Sequence, residues 1–214
     1  MKQIILLIAV TMVFSCKSEK KKEQGSVIDD KAQNSAVASE VIESLVLPGK
    51  NLWLFNGITF NKSELTKDAY QSYNVARANT DQSAYTMVTD TPINYGSKYR
   101  FSLTAKKGVK GSLIGLRAVG QYPNRIDAVF DLSNGLVKGS RNSGDFIQGK
   151  ASITPLGDGW YKCTIISELD TDVIKLLFGP TNESIRAEAW ESKTAELLDI
   201  EIIPESLTLE EISN

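Results

Sequence analysis

Alternating hydrophobic and polar residues dominate the chain from about Leu52 onward. In the clearest stretch the apolar positions are Tyr99, Phe101, Leu103 and Ala105. Three more stretches repeat the pattern, with the apolar sets Ile114, Leu116 and Ala118; Ile126, Ala128, Phe130 and Leu132; and Leu198, Ile200 and Ile202. A period of two is typical of strands that bury one face. The pattern therefore predicts half-buried β-strands whose apolar sets form the core.

Turn-forming residues separate these stretches at regular intervals. The clearest turns are Asn94-Tyr95-Gly96, Tyr122-Pro123-Asn124, Ser133-Asn134-Gly135 and Gly157-Asp158-Gly159. Glycine, proline, asparagine and aspartate favour turns, and no long helical period competes with the strands. We therefore expect an all-β domain over residues 47–204, a two-sheet antiparallel β-sandwich of the jelly-roll type, followed by a C-terminal tail at 205–214.

The N-terminus has the pattern of an export signal. Lys2 is followed by an apolar run from Ile4 to Phe14, which is too short to cross a bilayer but suits a signal peptide. The run ends at Val13-Phe14-Ser15-Cys16, which resembles the lipobox of bacterial lipoproteins. We therefore predict a signal peptide at residues 1–15 and lipidation of Cys16; the alternative is a secreted protein in which Cys16 is incidental.

A charged segment, Lys17 to Gln24, follows Cys16 directly. Such a segment cannot bury apolar surface, so residues 16–46 are predicted to form a polar tether between membrane and domain. Within it Val37, Val41, Ile42 and Leu45 recur at helical spacing, which allows one short helix. The charged segment also resembles surface-export signals of Bacteroidota lipoproteins, which implies lipid anchoring to the outer membrane.

Composition argues against several functional classes. The 24 Lys and Arg residues are balanced by 26 Asp and Glu in a chain of 214 residues, which argues against a nucleic-acid partner. The chain has no histidine, so a Ser-His-Asp triad is excluded. Its two cysteines cannot build a zinc cluster. Cys163 falls on the inward side of its strand, where it should behave as a small buried hydrophobe.

Several segments together resemble a known family of domains. They are Tyr99–Lys106, Ile114–Arg117, Ala128–Leu132 with Asn134-Gly135, and Leu156–Cys163. The succession resembles jelly-roll domains of phage tail fibres and spikes, and is similar to carbohydrate-binding modules of the lamin-G-like or CBM4/9 type. The resemblance spans about Leu52 to Ile203, but Lys162 stands where the family more often has arginine, and Glu188–Ser192 replaces a Trp-Gly-rich strand. It implies a polysaccharide or oligosaccharide partner and no catalysis.

Sugar-binding sandwiches need flat aromatic rings and planar polar side chains. Trp160 is predicted on the outer sheet face, where it either stacks on a sugar or seals the end of the sandwich. Arg117 and Arg125 flank the turn that carries Tyr122, and folding this hairpin sets Arg117 opposite Asp127. Either Arg117 forms a cross-strand ion pair with Asp127, or the two arginines form a guanidinium row that meets a glycan, with Tyr122 as a stacking platform.

The resemblance also implies that a structural calcium ion could bind at the sandwich edge, with Asp199 and Asn56 as candidate ligands. No other cofactor is expected. Three functions follow in order of preference: non-catalytic glycan capture or adhesion at the outer membrane, adhesion to a protein partner, and cleavage of a polysaccharide by a facing pair of carboxylates.

Overall fold

The structure is a computed structural model that describes residues 39–213, and these residues form thirteen β-strands and two short 3₁₀ helices. The strands are β1 (Val41–Ser44), β2 (Leu54–Asn56), β3 (Ile58–Lys67), β4 (Tyr70–Arg77), β5 (Tyr85–Pro92), β6 (Lys98–Lys107), β7 (Leu113–Val119), β8 (Arg125–Asp131), β9 (Leu136–Ser143), β10 (Ile147–Pro155), β11 (Trp160–Glu168), β12 (Val173–Thr181) and β13 (Asp199–Ile212). The 3₁₀ helices are Lys50–Leu52 and Ala187–Ala189. The predicted signal peptide, Cys16 and most of the predicted tether lie outside the described residues.

The strands form two stacked antiparallel sheets. The first sheet has the order β10-β11-β6-β13-β4-β3, and β1 lies beside the end of β13. The second sheet has the order β2-β5-β12-β7-β8-β9. All pairings are antiparallel. The predicted all-β, two-sheet antiparallel sandwich is confirmed.

The core lies between the two sheets and consists of the apolar positions that the alternation singled out. Phe101 and Ile200 from the first sheet pack there with Leu116 and Phe130 from the second, and all four are buried. Each such side chain contributes about 1.5–3 kcal/mol by leaving water. Cys163 is also buried, and this burial raises the pKa of its thiol. The alternation therefore identified the inner face correctly.

Both ends of the predicted domain extend further than the sequence suggested. The helical spacing near Val41 is not realised, because residues 41–44 form a strand that pairs with the end of β13. The predicted tail at 205–214 is largely strand as well, since β13 continues to Ile212 and buries Leu209 in the core. A register shift after Ile203, next to Pro204, breaks the alternation. Proline has no N–H for the ladder, which explains why the strand seemed to end there.

No helix among residues 39–213 combines the length and the apolar character needed to cross a bilayer.

We expect Leu209→Ala to lower the free energy of unfolding by about 2–5 kcal/mol, because the residue lies in the core rather than in a tail. Urea unfolding measures this value. Val46→Ala is the control, because this side chain is exposed, and it should change the free energy by no more than about 0.5 kcal/mol. A similarly small effect of Leu209→Ala would contradict the placement of β13.

Candidate functional site

The outer face of the second sheet carries the predicted arginine pair. Arg117 on β7 lies directly opposite Asp127 on β8, as the hairpin predicted. Its Nε donates a hydrogen bond to Asp127 Oδ1 over 2.6 Å. Arg125 Nε lies 3.3 Å from Asp127 Oδ2, and the Arg125 side chain is partly exposed. The cross-strand ion pair is therefore present.

This face is not open, because residues 182–198 cross it; we call this segment the strap. Trp190 of the strap is fully buried and forms a small second cluster with Val129 and Leu177. Its ring lies against the backbone of two strands: a Cβ at Gly115 would overlap the ring, and one at Gly179 would lie 3.4 Å from it. The two glycines therefore let an indole ring lie against the sheet.

The strap also occupies the guanidinium group of Arg117. Glu191 accepts hydrogen bonds from Nη1 and Nη2 at 2.8 Å, and the Glu188 carbonyl accepts one from Nη2 at 2.9 Å. The guanidinium carbon lies 5.6 Å from the centre of the Trp190 ring. Arg117 is consequently only 6% exposed. Of the two interpretations of Arg117, the structure supports the ion pair, because the chain's own carboxylates occupy the guanidinium group where a glycan would have to bind.

Trp160 begins β11 on the outer side of the first sheet, as predicted, but it is only 3% exposed. The Lys106 ammonium lies 5.8 Å from its ring centre. A ring with so little exposed area cannot offer a flat surface to a sugar. Of the two interpretations of Trp160, the structure supports the packing role at the end of the sandwich.

Tyr122 is different, because its side chain is 87% exposed. A second tyrosine, Tyr95, is 63% exposed on another loop. Both loops border the loop that joins β11 to β12. We call this part of the molecule the tyrosine end, defined by the loops 93–97, 120–124, 144–146 and 169–172.

Hydrogen bonds hold loop 169–172 between the two tyrosine loops. On one side, Gly96 N–H donates to the Leu169 carbonyl at 2.9 Å and Ile93 N–H donates to the Asp172 carbonyl at 2.9 Å. On the other side, Asn124 Nδ2 donates to the Asp170 carbonyl at 3.3 Å. The two exposed rings therefore belong to one hydrogen-bonded set of loops.

The end of β13 supports the loop that carries Tyr95. Tyr99 accepts a hydrogen bond from Asn94 N–H at 2.8 Å and donates one to Glu211 at 3.3 Å. Glu211 also accepts a hydrogen bond from Asn94 Nδ2 at 2.7 Å. Burial raises the pKa of Tyr99 to about 12, so its hydroxyl keeps its proton. The segment expected to be a C-terminal tail thus helps to position the tyrosine end.

The tyrosine end is acidic. The neighbouring Asp170 carboxylate, together with desolvation and the charges of Asp145 and Asp172, raises the pKa of Tyr95. None of the three carboxylates forms an ion pair within residues 39–213. Their oxygens can therefore accept hydrogen bonds from a ligand.

A cleft of about 350 Å³ lies beside the Tyr122 loop, between the ends of β7 and β12. Gly120, Gln121 and Thr171 line it together with Asp172 and Lys175. The sequence analysis identified Tyr122 but missed Tyr95 and Asp170. The signal for Tyr95 was an aromatic residue inside the turn Asn94-Tyr95-Gly96, where no core position requires one.

The two candidate calcium ligands are engaged in other contacts. Asp199 accepts hydrogen bonds from the N–H groups of Val109 and Lys110 and from Asn74 Nδ2. Asn56 Nδ2 donates to the Ser83 carbonyl at 2.7 Å. In the described part of the chain, no three or more acidic or cysteine side chains are grouped as metal ligands. The structure therefore adds no ligand set to the calcium prediction.

No protein-family model matches this sequence, and no curated protein matches it significantly. Among solved structures, it is similar to the CBM22-1–GH10 modules of an endo-1,4-β-D-xylanase 10B from Clostridium thermocellum, complexed with xylohexaose, with 11% identity and a TM-score of 0.45. That match covers 82% of this chain but only 28% of the xylanase chain. It is also similar to a β-1,3-glucan-binding CBM6 from Bacillus halodurans, with 8% identity, a TM-score of 0.39, and coverage of 75% of this chain and 89% of that one. At these values neither similarity assigns a ligand to this chain.

We expect Asp127 to make the domain less stable as the pH rises from about 4 to about 7. Burial raises the pKa of Asp127 to about 6, although Arg117 and Arg125 act in the opposite direction. The folded state therefore binds this proton more tightly than the unfolded state does. The stabilisation that results from this tighter binding is lost as the carboxyl group ionises. Relative to Asp127→Asn, the wild-type free energy of unfolding should fall by on the order of 3 kcal/mol over this range.

Urea unfolding of both proteins at a series of pH values measures the difference. Asp131→Asn is the matched control: burial favours a higher pKa, but hydrogen bonds from Asn134 and Ser133 outweigh it and lower the pKa of Asp131. Its contribution to stability should therefore be lost as the pH falls, which is the opposite sign. A difference between wild type and Asp127→Asn that does not change with pH would contradict the prediction.

Proposed function

We propose that this chain is an exported, lipid-anchored, non-catalytic protein that binds a glycan at the tyrosine end. The observation that carries the proposal is the pair of exposed rings, Tyr95 and Tyr122, on loops that are hydrogen-bonded to the same central loop. The apolar face of a sugar ring packs on exposed aromatic rings, and burying such a ring is favourable. The resemblance to carbohydrate-binding modules described above points to the same class of ligand.

The carboxylates determine which glycans fit. Asp145, Asp170 and Asp172 can accept hydrogen bonds from sugar hydroxyls, and charge-assisted hydrogen bonds of this kind are strong. The same three charges repel uronate or sulfate groups. The arginines that would attract an acidic glycan do not compensate, since Arg117 is buried under the strap and Arg125 is paired with Asp127. Lys175 beside the cleft offsets only one of the three negative charges. The proposed ligand is therefore a neutral polysaccharide or oligosaccharide.

A second candidate function is adhesion to a protein partner. Leu52, Leu54 and Phe55 are exposed next to each other at the edge of the second sheet. Neighbouring exposed apolar residues are typical of protein interaction sites. This surface is separate in sequence from the tyrosine end, so the two functions can be tested with different variants.

We expect Tyr122→Ala and Tyr95→Ala each to weaken binding of a neutral polysaccharide by roughly tenfold or more, because each removes a stacking surface worth about 1.5 kcal/mol or more. Affinity gel electrophoresis of the full chain in detergent, with neutral glucans and xylans in the gel and a polyuronate gel for comparison, measures the loss. The wild type should be retarded by a neutral gel and not by the polyuronate.

Tyr70→Ala is the matched control, because Tyr70 is also exposed but lies at the start of β4, outside the loops of the tyrosine end. It should leave the mobility unchanged. Equal retardation of wild type and both tyrosine variants would remove the tyrosine end as the site. Release of soluble sugar from the retained polysaccharide would overturn the non-catalytic assignment.

We expect Cys16→Ser to abolish incorporation of labelled palmitate and to move the protein from the detergent phase to the aqueous phase. Acyl chains contribute about 0.8 kcal/mol per buried methylene, and their loss removes the anchor. Cys163→Ala is the matched control, because Cys163 is buried in the core and is not an acylation site. This variant should incorporate palmitate as the wild type does. Label retained by Cys16→Ser would contradict the prediction, because the acyl group would then be attached to another residue.

A further inference from the structure

Arg77 is a buried cation at the end of β4, and it is only 2% exposed. Its guanidinium group donates hydrogen bonds to three backbone carbonyls. Nη2 lies 2.9 Å from the Gln82 carbonyl and 2.9 Å from the Ser192 carbonyl, and Nη1 lies 3.5 Å from the Pro180 carbonyl. These carbonyls come from the loop 78–84, the strap and the end of β12. Three separate parts of the chain therefore converge on one side chain.

Arg77 differs from the other buried arginine in having no anionic partner. Arg117 is paired with Asp127 and Glu191, whereas Arg77 forms no ion pair within residues 39–213. Burial accordingly lowers the pKa of Arg77. A buried charge without a counter-ion is unfavourable unless dipoles compensate for it. Here the carbonyl dipoles supply that compensation.

Carbonyl oxygens that converge on a buried point are also the ligands that hard cations such as calcium take in proteins. The residues expected to hold calcium do not fit that role. The carboxylate of Asp199 already accepts three N–H donors, and Asn56 is bonded to the Ser83 carbonyl. At Arg77, a side-chain cation already occupies the point on which three backbone carbonyls converge.

We propose that Arg77 is the structural cation of this domain, that it fixes the strap and the loop 78–84 to the sandwich, and that the fold needs no calcium. Neighbouring hydrogen bonds join the same elements: Arg77 N–H donates to the Leu198 carbonyl at 2.9 Å, Ala84 N–H to the Glu191 carbonyl at 2.9 Å, and Thr194 N–H to the Thr80 carbonyl at 3.1 Å. The guanidinium lies at the centre of this contact. Arg77 is therefore a positioning residue for the strap and for the Trp190 ring that the strap carries.

The test is thermal unfolding of the full chain in detergent, followed by circular dichroism. The wild-type midpoint should be the same, within about 1 °C, in excess EDTA and in excess calcium chloride, because a calcium-free fold gains nothing from either condition. Calorimetric titration of the wild type with calcium chloride should show no binding. A midpoint lowered by EDTA, or stoichiometric calcium binding that raises it, would overturn the proposal without any variant being needed.

Variants test the role of Arg77 itself. Arg77→Ala should lower the midpoint by roughly 5–10 °C, and millimolar methylguanidinium should restore part of this loss by entering the vacated carbonyl site. Arg77→Met should show no such recovery, because its side chain fills the space and offers no donor. Arg186→Ala is the control, since Arg186 is exposed and should leave the midpoint unchanged. If Arg77→Ala unfolds at the wild-type midpoint, or if methylguanidinium affects the alanine and methionine variants equally, the proposal fails.

Discussion

The Trp190 ring lies against the bare backbone of the second sheet, and this contact decides which surfaces of the domain are free to bind a ligand. The ring requires glycine at position 115, because any side chain there would occupy the same space. Once the ring is in place, the strap brings Glu188 and Glu191 onto Arg117. An outer sheet face that alternation alone predicts to be solvated is thereby converted into a third packed layer.

With that face closed, the exposed rings on neighbouring loops are Tyr95 and Tyr122 at the tyrosine end. At the tyrosine end the rings are exposed but their loops are held in place, since hydrogen bonds from the backbone of loop 93–97 and from the Asn124 side chain tie both neighbours to loop 169–172. Tyr99 and Glu211 brace the loop of Tyr95 from the first sheet. A preorganised loop loses less conformational entropy on binding, so fixed loops that display exposed rings favour recognition.

The sequence predicted the core well because local alternation reports directly which face of a strand is buried. It also predicted the register that sets Arg117 opposite Asp127, since a hairpin of known turn position fixes which residues meet. It could not predict the burial of Arg117. That burial depends on Trp190, more than seventy residues later, and no local pattern in the strap shows which face the segment covers. For Trp160 the alternation predicted the outward direction of the side chain but could not decide between stacking on a sugar and packing, because outward direction does not imply exposure.

Two buried arginines from different sheets hold adjacent positions of the strap. Arg117 on β7 bonds to Glu191, and Arg77 on β4 bonds to the carbonyl of Ser192. The strap is therefore tied to both sheets at once. Lifting it would expose a buried tryptophan, and it would also remove Glu191 from Arg117 and the Ser192 carbonyl from Arg77.

Exposing such a tryptophan costs about 3 kcal/mol or more, and the lost hydrogen bonds of the two arginines add to this cost. A cost of about 3 kcal/mol already corresponds to an open population on the order of one molecule in a hundred or fewer. A ligand for the covered face would have to overcome this penalty before making any contact of its own. The exposed tyrosines impose no such penalty, because no part of the domain must move to uncover them. The difference in free energy, rather than the presence of suitable side chains, is what places the candidate site at the end of the sandwich and not on its sheet face.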